Sequence, residues 1–94
     1  MYELLEEKRE DILRIAAEYG AHNVRIFGSV ARHEARPDSD FDFLVDFEPA
    51  VSLLDHAGLW LALEALLGCK VDISTASSLK AYLRETVLRE AIPL

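Results

Sequence analysis

Gly28-Ser29, ten further residues and then Asp40-Phe41-Asp42 form the one pattern in this sequence that local folding does not require. A glycine-serine corner at the end of a strand lets backbone N–H groups approach a ligand closely. A helix starting there adds its positive end, so phosphate oxygens are favoured at Gly28 and Ser29. Two aspartates at i and i+2 of a strand lie about 7 Å apart on one face, so Asp40 and Asp42 can grip the same hard divalent cation or an adjacent pair. Magnesium is the ion that phosphate chemistry calls for. Asp72, on a neighbouring strand, can complete a three-carboxylate cluster, which repels itself unless a metal neutralises it. The set suits phosphoryl or nucleotidyl transfer, in which metal ions hold a triphosphate, neutralise developing charge and lower the pKa of an attacking hydroxyl. Asp40 and Asp42 are then metal ligands, Gly28 and Ser29 hold phosphate, and Asp72 is a ligand or the general base. The blander readings are a solvated strand end for Asp40 and Asp42 and a turn residue for Ser29.

The elements that must position these residues follow from periodicity. Leu5, Ile12, Ile15, Ala16 and Tyr19 recur at helical spacing, with Gly20 as a stop. Asn23–Gly28 is a β-branched and aromatic run that ends in a sharp turn, Ser29–Ala35 allows one or two helical turns, and Arg36–Ser39 is loop chemistry. Asp40–Phe47 alternates, with Phe41, Phe43, Val45 and Phe47 on one face and Asp40, Asp42, Leu44 and Asp46 on the other. Ser52 and Asp55 form a capping box for a leucine-rich helix over Leu53–Leu67, closed by Gly68. Lys70–Ser74 is a third strand, with Asp72 opposite Val71 and Ile73. A last helix is capped by Ser77 or Ser78, carries Leu79, Tyr82, Leu83, Val87 and Leu88, and stops at Pro93. The order is α, β, short α, β, α, β, α, an α/β domain.

At 94 residues the chain has room for a single domain over 1–94, with 51% hydrophobic and 29% charged residues. Asp and Glu number 17 against 10 Lys and Arg, a net charge of -7, which offers no field for nucleic acid or an anionic membrane and suits a basic protein partner. Cys69 is the sole cysteine, so there is no internal disulfide, and a reducing compartment, the cytoplasm, is expected. The acidic start and the lack of a long apolar run argue against a secretory signal or a bilayer span.

Other residues have simpler readings. Asp46 lies about 13 Å beyond Asp42 and is taken as solvated. Arg32 and Arg36 either steer a triphosphate or decorate a solvated face. His22, His33 and His56 are too scattered for a metal set. Cys69 is a small core residue rather than a reactive thiol. Leu53, Leu54, Leu59, Trp60, Leu61, Leu63, Leu66 and Leu67 cover more of a helix than a small core can bury, so either the core takes them all or part of that surface is an interface.

Three segments, Val24-Arg25-Ile26-Phe27-Gly28-Ser29-Val30-Ala31-Arg32-His33-Glu34-Ala35, Ser39-Asp40-Phe41-Asp42-Phe43-Leu44-Val45 and Val71-Asp72-Ile73, resemble the minimal nucleotidyltransferases of the DNA polymerase β superfamily. In particular they resemble its MNT antitoxins. The resemblance implies a short mixed sheet flanked by helices and, as activity, transfer of AMP from ATP, with a pair of magnesium ions, to a tyrosine hydroxyl of a HEPN ribonuclease toxin. It also implies a hetero-oligomer with that toxin. The alternatives are an antitoxin that only masks its partner and a small-molecule transferase of the aminoglycoside-modifying kind. Two positions depart from the family pattern: His33 stands where glycine is frequent, so the phosphate loop is stiffer or His33 meets substrate, and Val30 where many relatives carry a basic residue.

Overall fold

The computed structural model describes residues 2–94 and contains four strands and five helices among them. Along the chain run α1 (Tyr2–Glu7), α2 (Arg9–Glu18), β1 (Ala21–Phe27), α3 (Gly28–Ala31), β2 (Phe41–Phe47), α4 (Leu53–Leu67), β3 (Val71–Ser74), a 3-10 turn (Ala76–Ser78), α5 (Ala81–Glu90) and β4 (Ile92–Pro93). The sheet order is β3-β2-β1-β4. β1 is antiparallel to β2 and to β4, whereas β2 and β3 are parallel, so the sheet is mixed. A parallel pair needs a crossover, and α4 supplies it.

One face of the sheet carries the core. Phe41, Phe43 and Val45 of β2, Val24 and Ile26 of β1, and Val71 and Ile73 of β3 are buried against Leu5, Ile12, Ala16, Leu59, Leu63 and Leu67. The period of two in the strands therefore meets the 3.6-residue stripe of α1, α2 and α4. Each buried leucine or phenylalanine contributes about 1.5–3 kcal/mol by leaving water. On the opposite face Leu44 is fully buried while Asp42, Asp46 and Asp72 are half-buried, and the 3-10 turn packs on β2.

α4 forms as its sequence requires. Ser52 Oγ accepts from the Asp55 N–H at 3.2 Å, the Ser52 N–H donates to Asp55 Oδ2 at 3.2 Å, and Gly68, at φ 68°, ends the helix in the left-handed conformation.

Five expectations change at the edges. The first helix is two, separated at Lys8, although hydrogen bonds run through the break from Lys8 N to Leu4 O and from Ile12 N to Lys8 O. Strand β1 starts at Ala21, and β2 at Phe41, which leaves Asp40 just before its strand. The serines near 77 do not cap the last helix: Thr75 and Ser78 cap each other across the 3-10 turn, and α5 starts at Ala81. Pro93 lies in a fourth strand, where Ile92 pairs with Ile26 and Pro93 with Arg25; the helix has already ended at Glu90.

Candidate active site

Strand pairing brings Asp42 and Asp72 side by side: they are Cα partners in the parallel register of β2 and β3. On its other side Asp42 pairs with Phe27, the last residue of β1. Gly28 therefore follows directly beside Asp42. Its φ is 73°, and a Cβ there would collide with Asp42 Oδ2. Only glycine allows this backbone to turn left-handed and the carboxylate to lie against it. Ser29 is half-buried in α3, a helix of four residues, whose first-turn N–H groups have no partner within the helix.

Burial pushes the Asp42 carboxyl up to about 6, the nearby charges of Asp72 and Asp40 push the same way, and Arg32 pulls it back. Asp42 thus lies within reach of both other carboxylates' charge. The three do not form a ready-made cage: among the described residues no three His, Cys, Asp or Glu side chains are arranged to hold a metal ion. The expected three-carboxylate cluster is therefore a registered pair with an outlier. Asp40 is exposed and precedes the strand, so sheet pairing does not fix it. The donor set still fits a hard divalent cation, since it consists of carboxylate oxygens whose mutual repulsion a cation would relieve, with Gly28 giving room against Asp42.

Arg32, left open between steering and solvation, lies close enough to Asp42 to lower its pKa and is itself held by Glu34 at 3.1 Å and Glu90 at 3.2 Å. Arg36 is exposed in the loop, where its backbone N–H donates to Ser39 Oγ. Asp46 is half-buried and accepts from Asn23 Nδ2 at 2.9 Å and Arg25 Nη2 at 3.2 Å, so it is an ion-pair partner where solvation was expected. Neither contact has a local sequence signal, because the partners are 23 and 21 residues away.

The three histidines go to different places. His22 meets Glu48, His56 sits between Phe47 and Trp60, and His33 stacks on Tyr2 with ring centroids 4.4 Å apart. His33 has φ 58°, the left-handed conformation that explains why glycine suits this position. Cys69 packs partly against the core, and burial, helped by Asp40 and Glu64, raises its pKa and keeps the thiol protonated. A depression of about 350 Å³ adjoins Asp40, walled by Pro37, Asp38, Ser39, Cys69 and Lys70.

The arrangement places two registered carboxylates, a third nearby, a glycine-serine corner and an arginine around one sheet end, which is chemistry for a polyphosphate and a divalent cation. Among the described residues no helix is long and apolar enough to cross a membrane.

Comparison with known proteins agrees with this geometry. The family model of the nucleotidyltransferase domain matches residues 6–94. The protein adenylyltransferase MntA of Thermococcus cleftensis is 50% identical over 74 residues, which span 79% of this chain and 75% of that protein. A solved structure described as a candidate minimal nucleotidyltransferase superposes with a TM-score of 0.89 at 59% identity, covering 99% of this chain and 95% of the other. A toxin-antitoxin crystal structure with AMP-PNP shares the fold at a TM-score of 0.75 and 19% identity, over 89% of this chain and 69% of the other. With the family model matching almost end to end and close relatives in sequence and fold, this chain belongs to the nucleotidyltransferase domain family, as an enzyme of its minimal branch.

Proposed function

We propose that residues 1–94 act as one nucleotidyltransferase domain in the cytoplasm, which moves AMP from ATP to a tyrosine hydroxyl of a partner toxin of the HEPN kind and so neutralises it. The observation that carries this reading is the registered pair Asp42 and Asp72 with Gly28 turned against Asp42. The identity to a protein adenylyltransferase supports AMP as the group moved and protein as the acceptor.

In the reaction the tyrosine oxygen bonds to the α-phosphorus of ATP, the bond between α-phosphorus and the bridging oxygen breaks, and pyrophosphate leaves. Asp72 accepts the phenol proton or acts as a ligand, Gly28 and Ser29 hold the phosphates, and Arg32 offsets their charge. Asp40 and Asp42 would hold magnesium, which would neutralise the polyphosphate and acidify the attacking hydroxyl. The half-buried site around Asp42 strengthens each of these electrostatic contacts relative to water.

The test is the intact mass of the partner toxin after incubation with this chain, ATP and magnesium, beside an Asp40→Asn/Asp42→Asn control. An AMP-sized increment that the control loses is expected. A stable complex without an increment favours masking by binding, and neither result turns attention to small-molecule acceptors.

A further inference from the structure

We infer that the outward stripe of α4 is a self-association seam, across which two copies of this chain pair antiparallel about a two-fold axis, with the sheet faces that carry Asp42 and Asp72 turned away from each other. The inference goes beyond the nucleotidyltransferase reading and does not depend on it.

α4 differs from the other long helices in its charges. α2 carries Arg9, Glu10, Asp11, Arg14 and Glu18, and α5 carries Arg84, Glu85, Arg89 and Glu90. α4 has fifteen residues and only Asp55 and Glu64 as charges. Both are engaged within the chain: Asp55 accepts from the Ser52 N–H at 3.2 Å, and Glu64 from the Val71 N–H at 3.3 Å. Leu59, Leu63 and Leu67 are buried in the core, so helical spacing puts Leu54, Ala57, Leu61 and Ala65 on the side away from it. All four are exposed. The result is about three turns of helix surface that is apolar and carries no charge.

The stripe alternates large and small residues, which makes it complementary to itself. In an antiparallel pair, an axis level with Leu59 and Trp60 sets Leu54 of each copy opposite Ala65 of the other, and Leu61 opposite Gly58. A parallel pair would set leucine on leucine and alanine on alanine. Leu61 enters the hollow between Leu54, Ala57, Gly58 and Leu61 of the other helix, the four-residue hole that receives a knob in packed helices. Ala57 and Gly58 keep the floor of that hollow low, and Gly58 has no room for a side chain because the Tyr19 ring lies against it. Small residues at these positions let the axes approach to about 8 Å, the close end of helix packing.

Charge favours a second copy as the occupant. Two chains of net charge -7 repel, so they can meet closely only where neither presents a charge, and this stripe is such a place. A basic partner is drawn instead to the acidic surface and gains no electrostatic match from an uncharged stripe. The seam is about 17 Å long and one helix, about 10 Å, wide. That falls short of the ~800 Å² per partner of a standard interface, so the dimer forms at about tens of micromolar and is not obligate. α4 packs on the apolar face of the sheet with Phe41 and Phe43, whereas Asp42 and Asp72 lie on the other. Pairing through α4 therefore leaves both carboxylate faces open.

The test is sedimentation velocity of the whole metal-free chain from about 1 to 500 μM, in wild type, Leu61→Glu and Leu61→Lys, each checked for cooperative melting. Wild type should pass from monomer to dimer, and its Kd should fall severalfold between about 50 and 500 mM salt, because salt screens the repulsion between like-charged copies. Each variant alone should associate at least about tenfold more weakly, since the axis brings the two like charges together. An equimolar mixture of the two should recover the dimer. Should a variant at this position fail to melt cooperatively, Leu54→Glu and Ala65→Lys, which face each other across the seam, give the same comparison. A wild type that stays monomeric, variants that associate as wild type does, or a mixture that recovers nothing overturns the seam. A monomeric wild type whose complex with the toxin is lost in both Leu61 variants also overturns it and assigns the stripe to the toxin.

Discussion

Gly28 and Asp42 share one small volume, and the consequences of that contact can be measured. Gly28→Ala places a methyl group on Asp42 Oδ2 at a positive φ, so either the corner or the carboxylate must move. We expect transfer activity to fall about a hundredfold, the usual cost of an ångström's misplacement in a site, and the melting temperature to drop. Asp42 also makes stability depend on pH. Its folded pKa of about 6 is above the ordinary 3.8, so the folded protein binds the proton more tightly than the unfolded chain. The stability it contributes is complete below pH 3.8 and is lost as pH rises through about 6. Asp42→Asn should therefore melt higher than wild type at pH 7.5, by about 1 kcal/mol after allowance for screening at this half-exposed site, and the gap should close near pH 4. Melting curves of the metal-free protein decide it, and magnesium should narrow the gap at pH 7.5. At His33 the positive φ sets a different comparison. His33→Gly relieves the backbone and His33→Ala does not, while both lose the stack on Tyr2, so the glycine variant should be the more stable by about 1 kcal/mol, roughly 4–8 °C for a domain of this size.

Among the elements, α4 shows how one helix can be apolar all round and still bury only a stripe. Leu59 and Leu63 are buried, whereas Leu53, Leu54 and Leu61 are 87%, 84% and 66% exposed. Of the two readings its leucines allowed, a core that takes them all is excluded. Leu59→Ala should cost about 2–5 kcal/mol in a denaturant titration, and Leu53→Ser or Leu54→Ser within about 0.5 kcal/mol. The same helix was legible because its signals are local: Ser52, Asp55 and Gly68 mark its ends within a few residues of where they act. The alternation in β2 was legible for the same reason. The strand β4 was not, because two residues carry no period and Pro93 reads as a helix stop until its pairing with Arg25 is known. The split at Lys8 has neither glycine nor proline to announce it. In the candidate site the residue types and the face shared by Asp42 and Asp46 could be read in advance. The closeness of Arg32 to Asp42 and the ties from Asn23 and Arg25 to Asp46 could not, since they arise only when β1, β2 and α3 assemble.

For the whole molecule, charge and exposed apolar surface set how a partner arrives. A net charge of -7 makes association with a basic protein fast at low ionic strength, and its rate constant should fall steeply between 50 and 500 mM salt in stopped-flow measurements. The exposed leucines of α4, with Tyr82, Leu83 and Leu88 of α5, are surface that water covers poorly in the isolated chain. The pairing of Asp42 with Asp72 has a further consequence, concerning insertions and deletions. Side chains alternate between the sheet's two faces, so the alignment of β2 with β3 acts as a parity check on the chain. An odd slip of β3 turns Asp72 into the apolar layer and brings Val71 or Ile73 to the side that carries Asp42, and a slip of two keeps the face but carries the carboxylate about 7 Å along it. Length changes in the turn between Gly68 and Val71 are therefore tolerable only where the turn absorbs them without moving the strand, so this turn should hold its length more strictly than the loop over 34–40, which can bulge outward.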